Sequence, residues 1–334
     1  MVVPSQGIKN HCHSTVIVII SFIGFALMSW YVWNKESTKL VGPGLIVAKG
    51  CALAIFFLIV LIMFFVSYDL LTWLRTRVFG LRILTLIDSH IIFHKVCGYL
   101  ICFYSILHTV MHLVYTFPAI VAAGEAGEID VVNATLKDHT FTGKESYAFL
   151  LFATWPGLTG VILVIVIVLM TVCSVGYVRH RCFQLFSYVH MIGFPIFLVC
   201  TVLHGMGRWL NFGYPTGVYF VPLPLFIYMW MIFRRAYDMK KNPFKVADVA
   251  FSNKNQFMLL YMTKPKNYDH QLGQYVFINI PAISKLEWHP YSIASSPNSK
   301  YFLLMIKNNG DWSEQLIKHF LDIKMSFESF RNLP

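Results

Sequence analysis

The chain has 334 residues, of which 57% are hydrophobic and 13% charged, and its formal net charge is +11. That composition excludes an ordinary soluble domain, where about 25% of residues are charged. It also argues against a nucleic-acid binder, because the cations gather at the ends of apolar runs and form no single basic stripe.

Six apolar runs follow one another, at about 15–33, 44–66, 91–116, 151–174, 184–206 and 216–233. Each has roughly the length of a membrane-spanning helix. The first is long, ends in Ser-Trp-Tyr-Val-Trp and lacks a small-residue cleavage site, so it reads as a retained signal-anchor. Cations cluster at Arg75, Arg77 and Arg82, at Arg179 and Arg181, and at Arg234, Arg235, Lys240 and Lys241. These fall at alternate span junctions and after the sixth span. The positive-inside rule then places both chain ends in the cytoplasm and loop 117–150 outside. That loop is acidic, and it holds the sequon Asn133-Ala134-Thr135. A glycan at Asn133 requires the same exterior placement. The seven cysteines show neither metal-site pairing nor a disulfide framework, so they read as small buried hydrophobes.

After residue 240 the composition turns soluble. "KVADVAFSNKNQFMLLYMTKP" reads as two strands around Ser-Asn-Lys-Asn, and "GQYVFINIP" alternates like a third. "HPYSIASSP" at 289–297 reads as a turn following a strand. "YFLLMIKNNGDWSEQLIKHFL" reads as strand, turn and a helix starting near Trp312 or Ser313. Domain 241–334 is thus long enough for one small β-barrel, complete or short of its last strand. It follows a six-helix membrane domain over 1–240.

Polar groups inside a membrane are costly and mark function. The third span carries His94 and His108, and the fifth carries His190 and His204, each pair 14 residues apart. Fourteen residues advance an α-helix about 21 Å and return within about 40° of one face. Both spans run outward from the cytoplasm. His94 therefore matches His190 in depth, and His108 matches His204. Two imidazoles facing across a flat macrocycle are haem ligands. A zinc site would want four compact ligands, commonly including thiolate or carboxylate. The alternative is that each histidine only hydrogen-bonds a neighbouring helix. His90 reads as an interfacial residue, and His112 lies one turn beyond His108.

In the soluble segment, the residues around 289–297 offer an aromatic face, hydroxyls and backbone amides to a ring system and its phosphates. Lys307 adds a cation. The helix starting near Trp312 would turn its positive end to a pyrophosphate.

"GQYVFINIPAISKLEWHPYSIASSP" with "NNGDWSEQL" resembles the FAD-binding region of the NADPH oxidase family, especially its phagocyte-type branch. "RTRVF", "FHKVCGYL", "WPGLTG" and "FQLFSYVH" resemble family segments at matching places. The resemblance implies a mostly α membrane protein, with a ferric-reductase-like six-helix bundle holding two b haems, followed by a flavin domain. His94 and His190 would hold the inner haem iron, His108 and His204 the outer. His289, Pro290, Tyr291, Ser292, Ile293, Ala294 and Ser295 would bind FAD. Lys307 stands where the family usually has arginine, keeping the charge without the bidentate fork. Lys49 also stands where the resemblance places an arginine; with His112 it would line an oxygen-reduction pocket at the outer haem.

The implied activity is electron transfer from cytoplasmic NADPH through FAD and two haems to O2, giving superoxide. The implied setting is the plasma membrane or a phagosomal or endosomal membrane, with a small membrane subunit and cytosolic activators as partners. No nucleic acid is involved. The 190–204 spacing is one residue longer than the phagocyte-type branch implies. No G-x-G-x-x-G fingerprint appears before the chain stops at "SFESFRNLP", so it is expected to be a fragment ending before the NADPH-binding domain. The rival readings are a ferric-chelate reductase of the same superfamily, and a non-catalytic or channel-like membrane subunit.

Overall fold

The computed structural model describes residues 6–77, 89–135, 140–206, 217–241, 244–252, 256–264, 270, 273–285 and 287–331. Arg82 and the turn residues 253–255 lie outside them. The chain divides into two compact units, Met1–Phe233 and Arg234–Pro334.

Among the described residues, five helices of the first unit have the length and apolarity to cross a membrane. They are α1 (Gln6–Trp33), α2 (Gly44–Val66), α3 (His90–Met111), α4 (Trp155–Ser174) and α5 (Phe183–His204). Large apolar side chains remain exposed along them, including Phe22, Trp30, Tyr99, Phe103 and Ile106. A soluble protein rarely shows such contiguous apolar surface, whereas lipid accepts it. The inward faces make the core. Cys51, Leu58, Ile59 and Met63 of α2 meet Phe93, Cys97, Ile101 and Tyr104 of α3, with Val166, Phe197 and Leu198 alongside. Packing pairs α2 with α1 and α3, and α4 with α5.

The sixth apolar run departs from expectation. It is split at Val221 into a short helix, Gly217–Phe220, and α6 (Pro222–Lys241), whose apolar part is only Pro222–Arg234. Pro222 and Pro224 cannot supply amides to a continuous helix across this point. Thirteen residues at about 1.5 Å each fall short of a full crossing.

The third run also differs, continuing to Glu125 where an end near 116 was expected. The link is a π-helical turn, His112–Thr116, followed by the helix Phe117–Glu125. The cause lies in Pro118. A proline ring clashes with the carbonyl four residues back and offers no amide to it. One wider turn, in which Phe117 N–H bonds His112 O, accommodates this. Beyond the bundle, Val32, Val41 and Leu45 pack with Phe117, Ile120, Val132, Phe141 and Leu150 in a second core. The expected outer loop is therefore a packed structure.

In the second unit, β1 (Val246–Phe251), β2 (Phe257–Thr263) and β5 (Tyr301–Lys307) form an antiparallel sheet of order β1-β2-β5. β3 (Tyr275–Ile278) and β4 (His289–Ser292) form a second antiparallel pair. A bridge from Ile293 to Leu304 joins the end of β4 to β5. Helix α7 (Asp311–Arg331) lays Trp312, Leu316 and Ile317 against Met258, Leu260, Leu304 and Ile306. The reading of 289–297 as a turn is corrected, since its first four residues are strand. Pro290 is tolerated there because β4 is a two-stranded edge that needs no amide from it.

Candidate cofactor sites

Along α3, three stripes run side by side. Phe93, Cys97, Ile101 and Tyr104 are buried, whereas Tyr99, Phe103 and Ile106 are exposed. Between them lie His94, Gly98, Ser105 and His108, all half-buried. These positions recur at helical spacing on one face. A Cβ added at Gly98 would meet nothing within 4 Å. Gly98 thus leaves open space on this face, while Ile101, seven residues from each histidine, is buried between them.

Toward the C-terminal ends of α3 and α5, the rings of His108 and His204 lie edge to face, 5.9 Å between centroids. His108 Nδ1 is 2.8 Å from Ala48 O. A carbonyl only accepts, so Nδ1 carries the proton and Nε2 keeps its lone pair. His204 Nδ1 faces Thr159 Oγ1 at 3.1 Å. Toward the N-terminal ends of α3 and α5, His190 Nδ1 faces Ser174 Oγ at 3.4 Å, and His190 is within electrostatic range of His94. The Nδ1 atom of His94 is buried without a hydrogen-bond partner.

Among the described residues, no three His, Cys, Asp or Glu side chains converge as a closed metal site. The histidines come in pairs, and a pair suffices for an iron whose macrocycle supplies the other nitrogens. The residues present therefore fit two haems. His108 and His204 would hold the outer one; His94 and His190 would hold the inner one.

His112 sits in the π turn, its ring 4.6 Å from that of His108 and its Nδ1 2.9 Å from Thr116 Oγ1. Lys49 directly follows Ala48, whose carbonyl holds His108, and lies within electrostatic range of His108, His112 and His204. The four residues form one cluster. Elsewhere in the unit, Asn133 pairs with the backbone of Phe141. Its Nδ2 donates to Phe141 O at 3.1 Å, and its Oδ1 accepts from Phe141 N at 2.6 Å.

In the second unit, alternation along β4 turns His289 and Tyr291 to one face and exposes Pro290 and Ser292 on the other. His289 stacks on Trp312 at 3.9 Å, and Tyr291 lies 6.2 Å from the same ring. Burial pushes the Tyr291 phenol above its ordinary pKa. Glu287 Oε2 accepts from His289 Nε2 at 3.3 Å. Beyond Ile293, Ala294 N donates to Leu303 O, and Ser295 Oγ accepts from Leu303 N, which binds this segment to β5. His270 Nε2 donates to Ser295 O at 2.9 Å, and Lys264 Nζ donates to Pro297 O.

Lys307 ends β5 exposed. The first turn of α7 carries Asp311 and Glu314. These carboxylates compete with any phosphate for the positive helix end. Trp312, 6% exposed, has a buried Nε1 without a hydrogen-bond partner. Its stacking role was missed in the sequence, where it marked only a helix start. Thr159 and Ser174 were missed too, although hydroxyls facing paired histidines were open to the same spacing argument.

Spaced imidazole pairs in a membrane bundle, continued into a small antiparallel unit, define a class of two-part membrane proteins. Residues 50–201 match a ferric reductase like transmembrane component, and residues 241–332 match an FAD-binding domain. The chain is similar in particular to NADPH oxidases and plant respiratory burst oxidases. It is 26% identical to NADPH oxidase 1 of Mus musculus over 349 residues, covering 91% of this chain and 58% of the relative. It is 30% identical to respiratory burst oxidase homolog protein F of Arabidopsis thaliana, covering 91% of this chain and 33% of the relative. Putative respiratory burst oxidase homolog protein G of the same plant is also 30% identical, over 87% of this chain and 35% of the relative. The chain thus spans between about a third and three fifths of these relatives.

Proposed function

We propose that this chain is the membrane and flavin portion of a superoxide-forming NADPH oxidase. The observation that carries the reading is the pair of histidine pairs, one at each end of the same two helices. When bound, FAD accepts a hydride and releases electrons singly, and two haems relay them across the bilayer. The chain's own residues hold and insulate that relay. His94 with His190, and His108 with His204, fix two ligand positions about 21 Å apart along their helices. If these histidine pairs held two haems, no protein ligand position would be left for oxygen, and the side chains beside His108 and His204 would face its reduction. Lys49 and His112 supply cationic and hydrogen-bonding character beside the outer pair, where negative charge would develop. His289, Pro290, Tyr291, Ser292, Ile293, Ala294, Ser295 and Lys307 would form the flavin edge of the second unit. NADPH as donor, O2 as acceptor, and a small membrane subunit with cytosolic activators complete the proposal. It has cytoplasmic ends and places loop 117–150, with a glycan on Asn133, outside a plasma, phagosomal or endosomal membrane.

The test is visible spectroscopy of the purified chain produced with ample haem. Two haems per chain are expected, with His94→Leu and His108→Leu each removing one. A wild-type chain without a Soret band refutes the reading. The ferric reductase like match favours a second acceptor, chelated iron. Chemically reducing the flavin and comparing superoxide formation with ferric-chelate reduction separates the two. For the topology, deglycosylation should speed the migration of wild type and leave Asn133→Gln unchanged.

A further inference from the structure

Each histidine of α5 meets a hydroxyl of α4, and both hydroxyls have already committed their proton elsewhere. Thr159 Oγ1 donates to Trp155 O at 2.6 Å, and Ser174 Oγ donates to Met170 O at 2.6 Å. A hydroxyl has one O–H and two lone pairs. Toward His204 and His190 each can therefore only accept. The proton it accepts must ride on Nδ1, which leaves the Nε2 lone pair available as a metal ligand.

The spacing shows that this is one device used twice. Thr159 and Ser174 are 15 residues apart on α4, and His190 and His204 are 14 apart on α5. The two helices are packed neighbours joined by the short helix Gly176–Arg181. Running antiparallel, they set each hydroxyl beside one histidine. Thr159 is itself buried, 3% exposed. Gly160 keeps α4 close: a Cβ there would lie 3.2 Å from His204 Cε1. On the facing helix, His108 obtains the same tautomer from the Ala48 carbonyl.

We propose that Thr159 and Ser174 are positioning residues for the two haem sites. Each holds its histidine as the Nδ1–H tautomer and raises the basicity of the ligating nitrogen. Thr159 tunes the outer haem through His204, and Ser174 tunes the inner haem through His190. The inference rests on the haem reading given above. A histidine's partner at the non-ligating nitrogen orients the ring and strengthens it as a ligand. A stronger donor favours ferric iron, so removing the acceptor should make that haem easier to reduce.

The experiment is spectroelectrochemical titration of the full chain carrying both haems. Thr159→Val removes the hydroxyl acceptor and keeps the shape, leaving His204 only the Pro156 carbonyl, whereas Thr159→Ser keeps the hydroxyl. Thr159→Val should shift one haem alone to more positive potential, by up to about tenfold in its reduction equilibrium, which is about 59 mV for one electron. Thr159→Ser should restore it. Ser174→Ala should shift the other haem. Should Thr159→Val fold poorly, Thr159→Ala on the haem-loaded fraction supplies the same contrast with Thr159→Ser. A wild type without haem overturns both this inference and the reading beneath it. A wild type with two haems whose potentials ignore the Thr159 and Ser174 substitutions overturns this inference alone. So does a shift of both potentials together in either variant, because that is the mark of a general structural change.

Discussion

Gly157→Ala is a small substitution with a large expected effect. A Cβ at residue 157 would lie 2.7 Å from Leu151 O and 2.8 Å from Leu151 Cα, with Leu150 O also in its way. Carbon contacts below 3.0 Å force something to move, and here every neighbour is backbone, so no rotamer change relieves it. The start of α4 must shift by more than the 0.3 Å (3.0 minus 2.7) that Leu151 O alone demands. Two bonds hold that start in place. Thr154 Oγ1 donates to Leu150 O at 2.6 Å and accepts from Gly157 N at 3.2 Å. Overpacking costs about 1–3 kcal/mol, and losing the cap costs about 1 more. A total near 3 kcal/mol lowers the folded-to-unfolded ratio about 100-fold. The damage should also be local. Thr159 is two residues further on and would lose its 3.1 Å contact with His204, whereas Ser174 lies at the far end of the helix. Thermal unfolding in detergent, followed by tryptophan fluorescence and haem absorbance, should show a lower midpoint and selective loss of one haem. A variant with wild-type midpoint and spectrum would show that α4 does not depend on this close approach.

Trp312→Ala should destabilise the flavin unit by about 3–5 kcal/mol, the usual cost of emptying a core tryptophan site. It also removes the ring on which His289 stacks. Trp312→Phe should be milder, and FAD fluorescence quenching with thermal melts reads both. In the segment between α3 and α4, desolvation opposes the charged form of Glu145, but hydrogen bonds from Thr142 N, Thr142 Oγ1 and Gly143 N outweigh it and hold its pKa below the ordinary 4.5. Because the folded value is depressed, its contribution to stability is present above pH 4.5 and fades as pH falls through the lower folded value. Limited proteolysis near Thr142–Ser146 should accelerate at acid pH in wild type, and Glu145→Gln should flatten that dependence.

What the sequence made legible was periodic. Histidines recurring every 14 residues predict a pairing in depth, and in the fold the rings of His108 and His204 lie 5.9 Å apart. The alternation in "FMLLYMT" and "YFLLMIK" appears as strands β2 and β5. What escaped depended on partners distant in sequence. "HPYS" resembled a turn because Pro290 is a turn former, yet pairing with Tyr275–Ile278 makes it a strand. Hydropathy measures length and apolarity, so it registered the sixth run without the break at Val221. Thr159 and Ser174 looked like ordinary small polar residues until the fold set them against imidazole nitrogens.

The wide turn at His112–Thr116 also has a consequence for alignment. A π turn takes up one residue more than the α geometry on either side, and each residue rotates an α-helix about 100°. Counting forward from His94 and His108 therefore goes out of phase after Thr116. Ile120 and Ala123 are buried although continuous α numbering would predict other positions to face inward. A relative whose third helix lacks a proline corresponding to Pro118 is expected to align across 112–116 with one residue fewer.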